Sequence, residues 1–165
     1  MIRMELLGVR VEMPANTPVV MLREAEGEGG GGRVLPILIG GPEAAAIHTA
    51  LEGIVPPRPL THDLTVTLIA ALGARLERVV ITEVKEHTYY AELHLAGAAG
   101  ATVVSARPSD SIALAVRVGA PIFAKESLLD EAAVEMDVDD TEDEEAILDE
   151  FRDFLDDISP DDFAG

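Results

Sequence analysis

Two short segments carry residue types from which a phosphoryl-transfer site could be built. Residues 58–63 read Arg-Pro-Leu-Thr-His-Asp, and residues 107–110 read Arg-Pro-Ser-Asp. Hydrolysis of a phosphodiester needs positive charge on the phosphate, an activated water and a stabilised leaving oxygen. The candidates for these tasks are Arg58, Arg107 and Thr61 as substrate-binding groups, and His62, Asp63, Ser109 and Asp110 as catalytic groups.

Carboxylates in and near these segments could also hold a hard divalent cation. Glu43, Asp63 and Asp110 offer the oxygen ligands that Mg²⁺ prefers, and Mn²⁺ accepts the same donors. The chain has no cysteine, and no two histidines have zinc spacing on one predicted helix. We therefore expect Mg²⁺ or Mn²⁺ at these three residues, and neither zinc nor an organic cofactor.

The same residues also have a purely structural interpretation. Thr61 is a good helix N-cap, and Asp63 and Asp110 fall in first turns, where the helix dipole favours a carboxylate. Arg58 and Arg107 could then simply pair with these carboxylates across two helix starts. The sequence is compatible with both a catalytic role and a helix-capping role for these residues.

The elements that must position these residues follow from the hydrophobic pattern. Strands are predicted at 2–12, 17–24 and 34–39, and again at 76–84, 89–95 and 102–105, with a short last strand at 121–124. A helix that opens with proline and an acid follows each set of three strands, and a further helix carries Leu64, Leu68 and Leu72. The pattern predicts an α+β fold: a mostly antiparallel sheet in two related halves with packed helices, and an acidic helical C-terminal tail.

The charge is concentrated at the C-terminal end of the chain. Residues 1–125 hold 13 acidic and 11 basic residues, a net charge of −2, whereas residues 126–165 hold 18 acidic residues and one arginine, a net charge of −17. We therefore divide the chain into a domain at 1–134 and a tail at 135–165. Thr141 and Glu144 form a capping box there, ahead of a helical stripe of apolar residues: Ile147, Leu148, Phe151, Phe154, Leu155 and Ile158.

That apolar stripe predicts that the tail docks on its own body, on a second subunit or on a basic protein. The valine-rich strands and the stripe together favour a homo-oligomer, most simply a dimer. Without cysteine, a signal-peptide pattern or an apolar run of about 20 residues, we expect a cytoplasmic protein that does not enter a membrane. Among the remaining histidines, we expect His48 to be partly buried, His87 to lie in a turn and His94 to be solvated.

Four motifs in order resemble the bifunctional nuclease family. They are the strand 36–40 with Glu43-Ala44, the segment 58–63, the segment 107–115 and Ala-Pro-Ile at 120–122. The resemblance covers about residues 1–125, and Ser111 departs from it, because a smaller residue such as alanine is expected there. It implies cleavage of both RNA and DNA, and it does not include the acidic tail.

Two alternatives to a nuclease remain. The polar cluster could serve a non-enzymatic ligand-binding or regulatory module. The chain could also be an interaction protein whose acidic tail imitates nucleic acid for a basic partner.

Overall fold

The computed structural model describes residues 1–25, 32–98 and 100–135. Within those ranges the chain forms eight strands and four helices. In chain order they are β1 (Ile2–Glu12), β2 (Thr17–Glu24), β3 (Arg33–Leu38), α1 (Gly41–Leu51), α2 (Thr61–Ala71), β4 (Ala74–Lys85), β5 (Thr88–Gly97), β6 (Gly100–Ala106), α3 (Pro108–Val118), β7 (Ile122–Ala124), α4 (Glu126–Ala132) and β8 (Val134–Glu135).

The eight strands in the described ranges form a single sheet with the order β6-β5-β4-β7-β1-β2-β3-β8. Strands β1 to β3 make one antiparallel meander, and β4 to β6 make another. The short strand β7 joins the two, antiparallel to β1 and parallel to β4, with Ile122 in register between Met4 and Val79. Three residues of β7 therefore hold the two halves of the sheet together.

Local sequence explains the longest pairing, between β4 and β5. Glu86 and His87 form a two-residue turn with φ of 48° and 63°, the left-handed conformation that matches the twist of the flanking strands. Along β5 the side chains alternate, and Ala91 and Leu93 are buried in the core. The hairpin therefore presents one apolar face to the helices.

The helices cover the core unequally. Both α1 and α3 follow the third strand of a meander and begin with proline in their first two positions, where the missing N–H costs no hydrogen bond. Seven residues of α3 are buried, whereas α2 has none. Ile47 of α1, Ile112 of α3 and Leu129 of α4 all join one apolar core with residues of both meanders. Helix α3 is thus a central packing element, and α2 lies at the periphery.

The predicted α+β class and the mostly antiparallel sheet are confirmed. The predicted strands 2–12 and 17–24 agree with β1 and β2, and the predicted hairpin strands fall within β4 and β5. The order of three strands followed by a proline-initiated helix occurs twice, and descent of the two halves from one ancestor stays a prediction. The central place of β7 in the sheet is not evident from the sequence.

Two local predictions are wrong. Thr61 is the first residue of α2 rather than its N-cap, which is Leu60. The Leu60 N–H donates instead to Oδ2 of Asp63 at 2.9 Å, so the acid in the first turn caps the helix without the Thr61 hydroxyl. His94 is largely buried rather than solvated, because its ring contacts Arg78 and Glu92 along the sheet.

The predicted capping box and apolar stripe of the tail lie outside the described residues, and the boundary between residues 134 and 135 stays a prediction. Among the described residues, no helix has the length and apolar character that crossing a membrane requires.

Candidate phosphodiesterase site

Polar residues from the first turns of three helices meet at one place. Glu43 lies in the first turn of α1, His62 in that of α2, and Asp110 in that of α3. Arg107 is the N-cap of α3 and contacts Glu43 and Asp110, while His62 contacts Asp110. The partial positive charge of helix N-termini accounts for acids at these positions, and it also attracts external anions.

The Arg107 guanidinium bridges two of the carboxylates. Its Nε donates to Oδ2 of Asp110 at 2.7 Å and its Nη2 to Oδ1 at 3.1 Å, while Nη1 donates to Oε1 of Glu43 at 2.9 Å. A guanidinium has five N–H groups, so two of them remain after these three bonds. The Arg107 side chain is 64% exposed, and these two N–H groups are therefore available to an incoming anion.

The His62 ring is oriented by Asp110. Its Nε2 lies 3.0 Å from Oδ1 of Asp110, and the side chain is only 16% exposed. Because an ionised carboxylate can only accept, the hydrogen bond assigns the proton of the neutral ring to Nε2. The lone pair is then on Nδ1, which makes no hydrogen bond to the described residues.

The electrostatics of the cluster favour the ionised form of Asp110. Burial alone would raise the pKa of the Asp110 carboxyl, but the hydrogen bonds from Arg107 and His62 outweigh burial and hold this pKa below its ordinary value. In return, the hydrogen bond to Asp110 raises the pKa of Arg107. At neutral pH Asp110 is therefore a carboxylate that fixes both neighbours.

Asp63 belongs to a second ion pair beside this cluster. Nε of Arg117 donates to its Oδ1 at 2.6 Å, and the same guanidinium donates through Nη1 to the carbonyl oxygens of Ala46 and Ala113. The Arg117 side chain, 9% exposed, thus ties α1, α2 and α3 together. The hydrogen bond from Arg117 lowers the pKa of Asp63, burial opposes this, and the Leu60 N–H adds to the lowering.

Three other sequence-predicted residues lie apart from these hydrogen bonds. Arg58 is exposed and forms no ion pair or hydrogen bond with the described residues. Thr61 is exposed at the start of α2, and its hydroxyl has no partner among them. Ser109 is buried next to Asp110 in the chain, with 7% of its surface exposed, and its hydroxyl is likewise without a partner in the described ranges. The structure therefore brings together three of the predicted substrate-binding and catalytic residues, His62, Arg107 and Asp110. The predicted cation ligand Glu43 lies with them.

The carboxylates do not form a ready cation site in this arrangement. Arg107 lies between Glu43 and Asp110, and Asp63 faces Arg117. Among the described residues, no group of three or more His, Asp or Glu side chains could hold a metal ion. Uptake of a cation by Glu43, Asp63 and Asp110 would require both arginines to give up their carboxylates.

Arg117 is a residue of this region to which the sequence analysis assigned no role. One signal points to it: it is the sole basic residue in α3, a helix otherwise made of small and apolar residues apart from its first turn. A buried cation requires partners, and Asp63 of α2 and the carbonyl oxygens of Ala46 and Ala113 supply them.

Comparison with known proteins identifies the family of the domain that contains these residues. Residues 20–137 match the bifunctional nuclease domain, and this range contains all three helix starts and both arginines. The chain belongs to the bifunctional nuclease domain family. An uncharacterized protein of Mycobacterium tuberculosis is 48% identical over 165 residues, which cover 96% of this chain and 95% of the relative.

The relatives that are named as nucleases are less similar to this chain than the mycobacterial protein is. Bifunctional nuclease 1 of Oryza sativa subsp. indica is 32% identical over 98 residues, or 58% of this chain and 30% of the rice protein. Bifunctional nuclease of Oryza minuta matches to the same extent. The chain thus aligns with less than a third of these plant proteins.

Proposed function

We propose that this protein hydrolyses phosphodiester bonds in RNA and DNA at the cluster of Glu43, His62, Arg107 and Asp110. The observation that carries the proposal is the contact between His62 and Asp110. Its Nε2 is held by Asp110 while Nδ1 is free of hydrogen bonds to the described residues. A neutral imidazole fixed in this way is suited to take a proton from water.

Binding of the scissile phosphate is assigned to two arginines and to the helix starts. The two remaining N–H groups of Arg107 can fork onto phosphate oxygens. Arg58, exposed and without a partner in the described ranges, supplies a second positive charge from the segment just before α2. The N-termini of α1, α2 and α3 add partial positive charge in the same region.

The proposed reaction moves one proton through His62. As the oxygen of a water molecule forms a bond to phosphorus, Nδ1 of His62 accepts one of its protons. The bond from phosphorus to the leaving oxygen breaks, and the resulting imidazolium can return the proton to that oxygen. Asp110 stabilises the imidazolium through Nε2, and Arg107 balances the charge that develops on the phosphate oxygens.

The remaining predicted residues take supporting roles in this proposal. Ser109 and Thr61 have unbonded hydroxyls that can donate to the phosphate, and Asp63 positions the start of α2 through its bonds with Leu60 and Arg117. The proposal includes binding of Mg²⁺ or Mn²⁺ by Glu43, Asp63 and Asp110. This binding requires Arg107 and Arg117 to move away from the three carboxylates. A cytoplasmic location is likewise proposed.

We further propose that the acidic segment 136–165 limits access of nucleic acid. It carries most of the negative charge of a chain whose net charge is −19, and nucleic-acid binding depends on cations that replace condensed counterions. Its acids compete with phosphates for Arg58 and Arg107.

A second candidate function is an anion-binding regulatory module without catalysis. The observation that favours it is that Asp110, Glu43 and Asp63 are all paired with arginines, as in a structural network. Such a module would bind oligonucleotides or smaller phosphates and leave them intact.

An assay with full-length protein distinguishes the two functions. Labelled single-stranded RNA and DNA are incubated with Mg²⁺ or Mn²⁺, and both cleavage and binding are followed. The nuclease proposal expects cleavage, and it expects Arg58→Ala to raise KM several-fold and to reduce the salt dependence of binding by about one counterion. Arg75→Ala, in an exposed ion pair with Glu77, is the matched control. Binding without cleavage would favour the regulatory module.

A further inference from the structure

Helix α2 and the residues that flank it expose an unusual amount of apolar surface. We call the leucine face the row formed by Leu60, Leu64, Leu68 and Leu72, which repeat every four residues along one side of the helix. Their exposed fractions are 49%, 48%, 53% and 84%. The last residue of α1, Leu51, and the following loop residues Ile54 and Val55 are exposed as well. Contiguous apolar surface of this kind marks an interaction site.

The inner side of α2 compensates for this exposure only in part, because Val66 is the one residue of the helix that packs against the apolar core among the described residues. None of its eleven residues is buried, and its polar attachments to the rest of the domain are the contacts of His62 with Asp110 and of Asp63 with Arg117. An amphipathic surface helix normally turns its polar side to solvent. In α2 the outward residues are instead leucine, threonine and alanine, so the helix lacks a solvated charged face.

Charge decides which occupant fits the leucine face. Between Leu64 and Leu72 there is no charged residue, so this part of the face offers no cation to nucleic acid, to an anionic lipid surface or to the acidic segment 136–165; the charged neighbours Arg58 and Asp63 lie at its N-terminal end. A chain of net charge −19 repels copies of itself. Two such chains can approach at an uncharged apolar face without bringing carboxylates together, and the leucine face with its flanking loop exposes more large apolar side chains than strand β6 does.

We propose that the leucine face is the contact between two copies of this chain in a symmetric dimer. A two-fold axis places the α2 helices of the two copies side by side, so that each leucine row packs against the other. Seven large apolar residues between positions 51 and 72 are exposed, and they supply the apolar centre that a stable interface requires, with the polar residues of this segment at its rim. The dimer covers α2 and so stabilises the helix that carries His62.

A second uncharged surface provides a matched control. Strand β6 lies at the sheet edge and pairs only with β5 among the described strands. Its residues are uncharged, and Val103 is exposed to the same fraction, 53%, as Leu68. A glutamate at either position adds one charge to an equally exposed apolar site.

The test is the mass of the full-length protein in solution at micromolar concentration, measured by light scattering and sedimentation equilibrium. Wild type and Val103→Glu are expected at twice the chain mass, and Leu68→Glu at the mass of one chain with unchanged circular dichroism. Because the chain has no cysteine, Leu64→Cys or Leu68→Cys should also cross-link two copies on oxidation, whereas Val103→Cys should not.

Three results would overturn the proposal. A monomeric wild type would mean that the face is covered within one chain or left bare. Loss of the dimer in Val103→Glu with retention in Leu68→Glu would place the contact at the sheet edge. If Leu68→Glu fails to fold, the cross-linking experiment decides between the two surfaces. A cross-linked dimer of Val103→Cys, with none from Leu64→Cys or Leu68→Cys, would contradict the leucine face as the contact.

Discussion

Nε2 of His62 lies 3.0 Å from Oδ1 of Asp110, and this contact joins the first turn of α2 to the first turn of α3 across 48 positions of sequence. It makes the two Arg-Pro segments parts of one site. Asp110 also accepts two hydrogen bonds from Arg107. One carboxylate thereby fixes both the proposed proton acceptor and a proposed phosphate ligand.

Replacement of Arg117 by methionine should destabilise the domain. The change removes three hydrogen bonds that link α1, α2 and α3 and leaves Asp63 without its cation. Loss of a partner from a buried polar group costs about 1–3 kcal/mol, and we expect that decrease in the free energy of unfolding from urea titration. Arg75→Met, at an exposed pair, should change it by less than about 0.5 kcal/mol. Equal effects of the two changes would contradict the central role of Arg117.

The ion pair of Asp63 should make the free energy of unfolding decrease at acidic pH. Because the folded-state pKa of Asp63 is below the ordinary 3.8, its contribution is fully present above pH 3.8 and is lost as the pH falls through the lower folded-state value. Asp63→Asn keeps an acceptor for the Leu60 N–H but loses the charge. The difference in unfolding free energy between wild type and this variant should therefore be largest at neutral pH and shrink below about pH 4. A constant difference from pH 7 to pH 2.5 would exclude the ion pair as its cause.

Cation uptake at the cluster should be limited by Arg107. Its guanidinium occupies the space between Glu43 and Asp110, so Arg107→Gln frees two carboxylates and removes a competing positive charge. We expect the affinity for Mn²⁺, measured by calorimetry, to rise several-fold in this variant and to stay at the wild-type value in Arg75→Gln. Unchanged affinity in both would show that Mn²⁺ does not bind between these carboxylates.

Removal of residues 136–165 should strengthen binding of single-stranded RNA and DNA. The deletion removes carboxylates that repel phosphates, and the gain should be largest at low salt, where this repulsion is least screened. Binding is followed by fluorescence anisotropy as the salt concentration is raised from about 20 to about 200 mM. Over this range the Debye length falls from about 20 Å to about 7 Å. A truncated protein that binds no better than the full chain at the lowest salt would refute shielding by this segment.

Much of the fold could be predicted from the sequence because local signals carry it. Proline at the starts of α1 and α3 and the apolar runs of β1 and β2 depend on neighbouring residues, and the helices and strands predicted from them are confirmed. The position of β7 was not predictable in this way. Its three residues are specified by pairing with Met4 and Val79, contacts that lie far away in sequence and leave no local periodicity.

The candidate site shows the same division. Repetition of Arg-Pro followed by an acid predicts that the two segments converge, with six residues in one cluster: Arg58, His62, Asp63, Arg107, Ser109 and Asp110. The structure joins His62, Arg107 and Asp110 by hydrogen bonds, whereas Asp63 pairs with Arg117 and neither Arg58 nor the Ser109 hydroxyl bonds to the cluster. The partner of Asp63 could not be read in this way, because the Arg117 side chain reaches across from the last turn of α3. The burial of His94 also depends on a cross-strand neighbour, Arg78, which alternation along one strand does not reveal.

The central claim is that His62 transfers the proton in phosphodiester hydrolysis, and the most direct test is the cleavage rate of His62→Gln. Loss of a proton-transfer group costs about 100-fold or more, so we expect that decrease on labelled RNA and DNA, with an unchanged melting temperature. His87→Gln, in the exposed turn between β4 and β5, should cleave at the wild-type rate. Cleavage by His62→Gln at the wild-type rate would contradict the account.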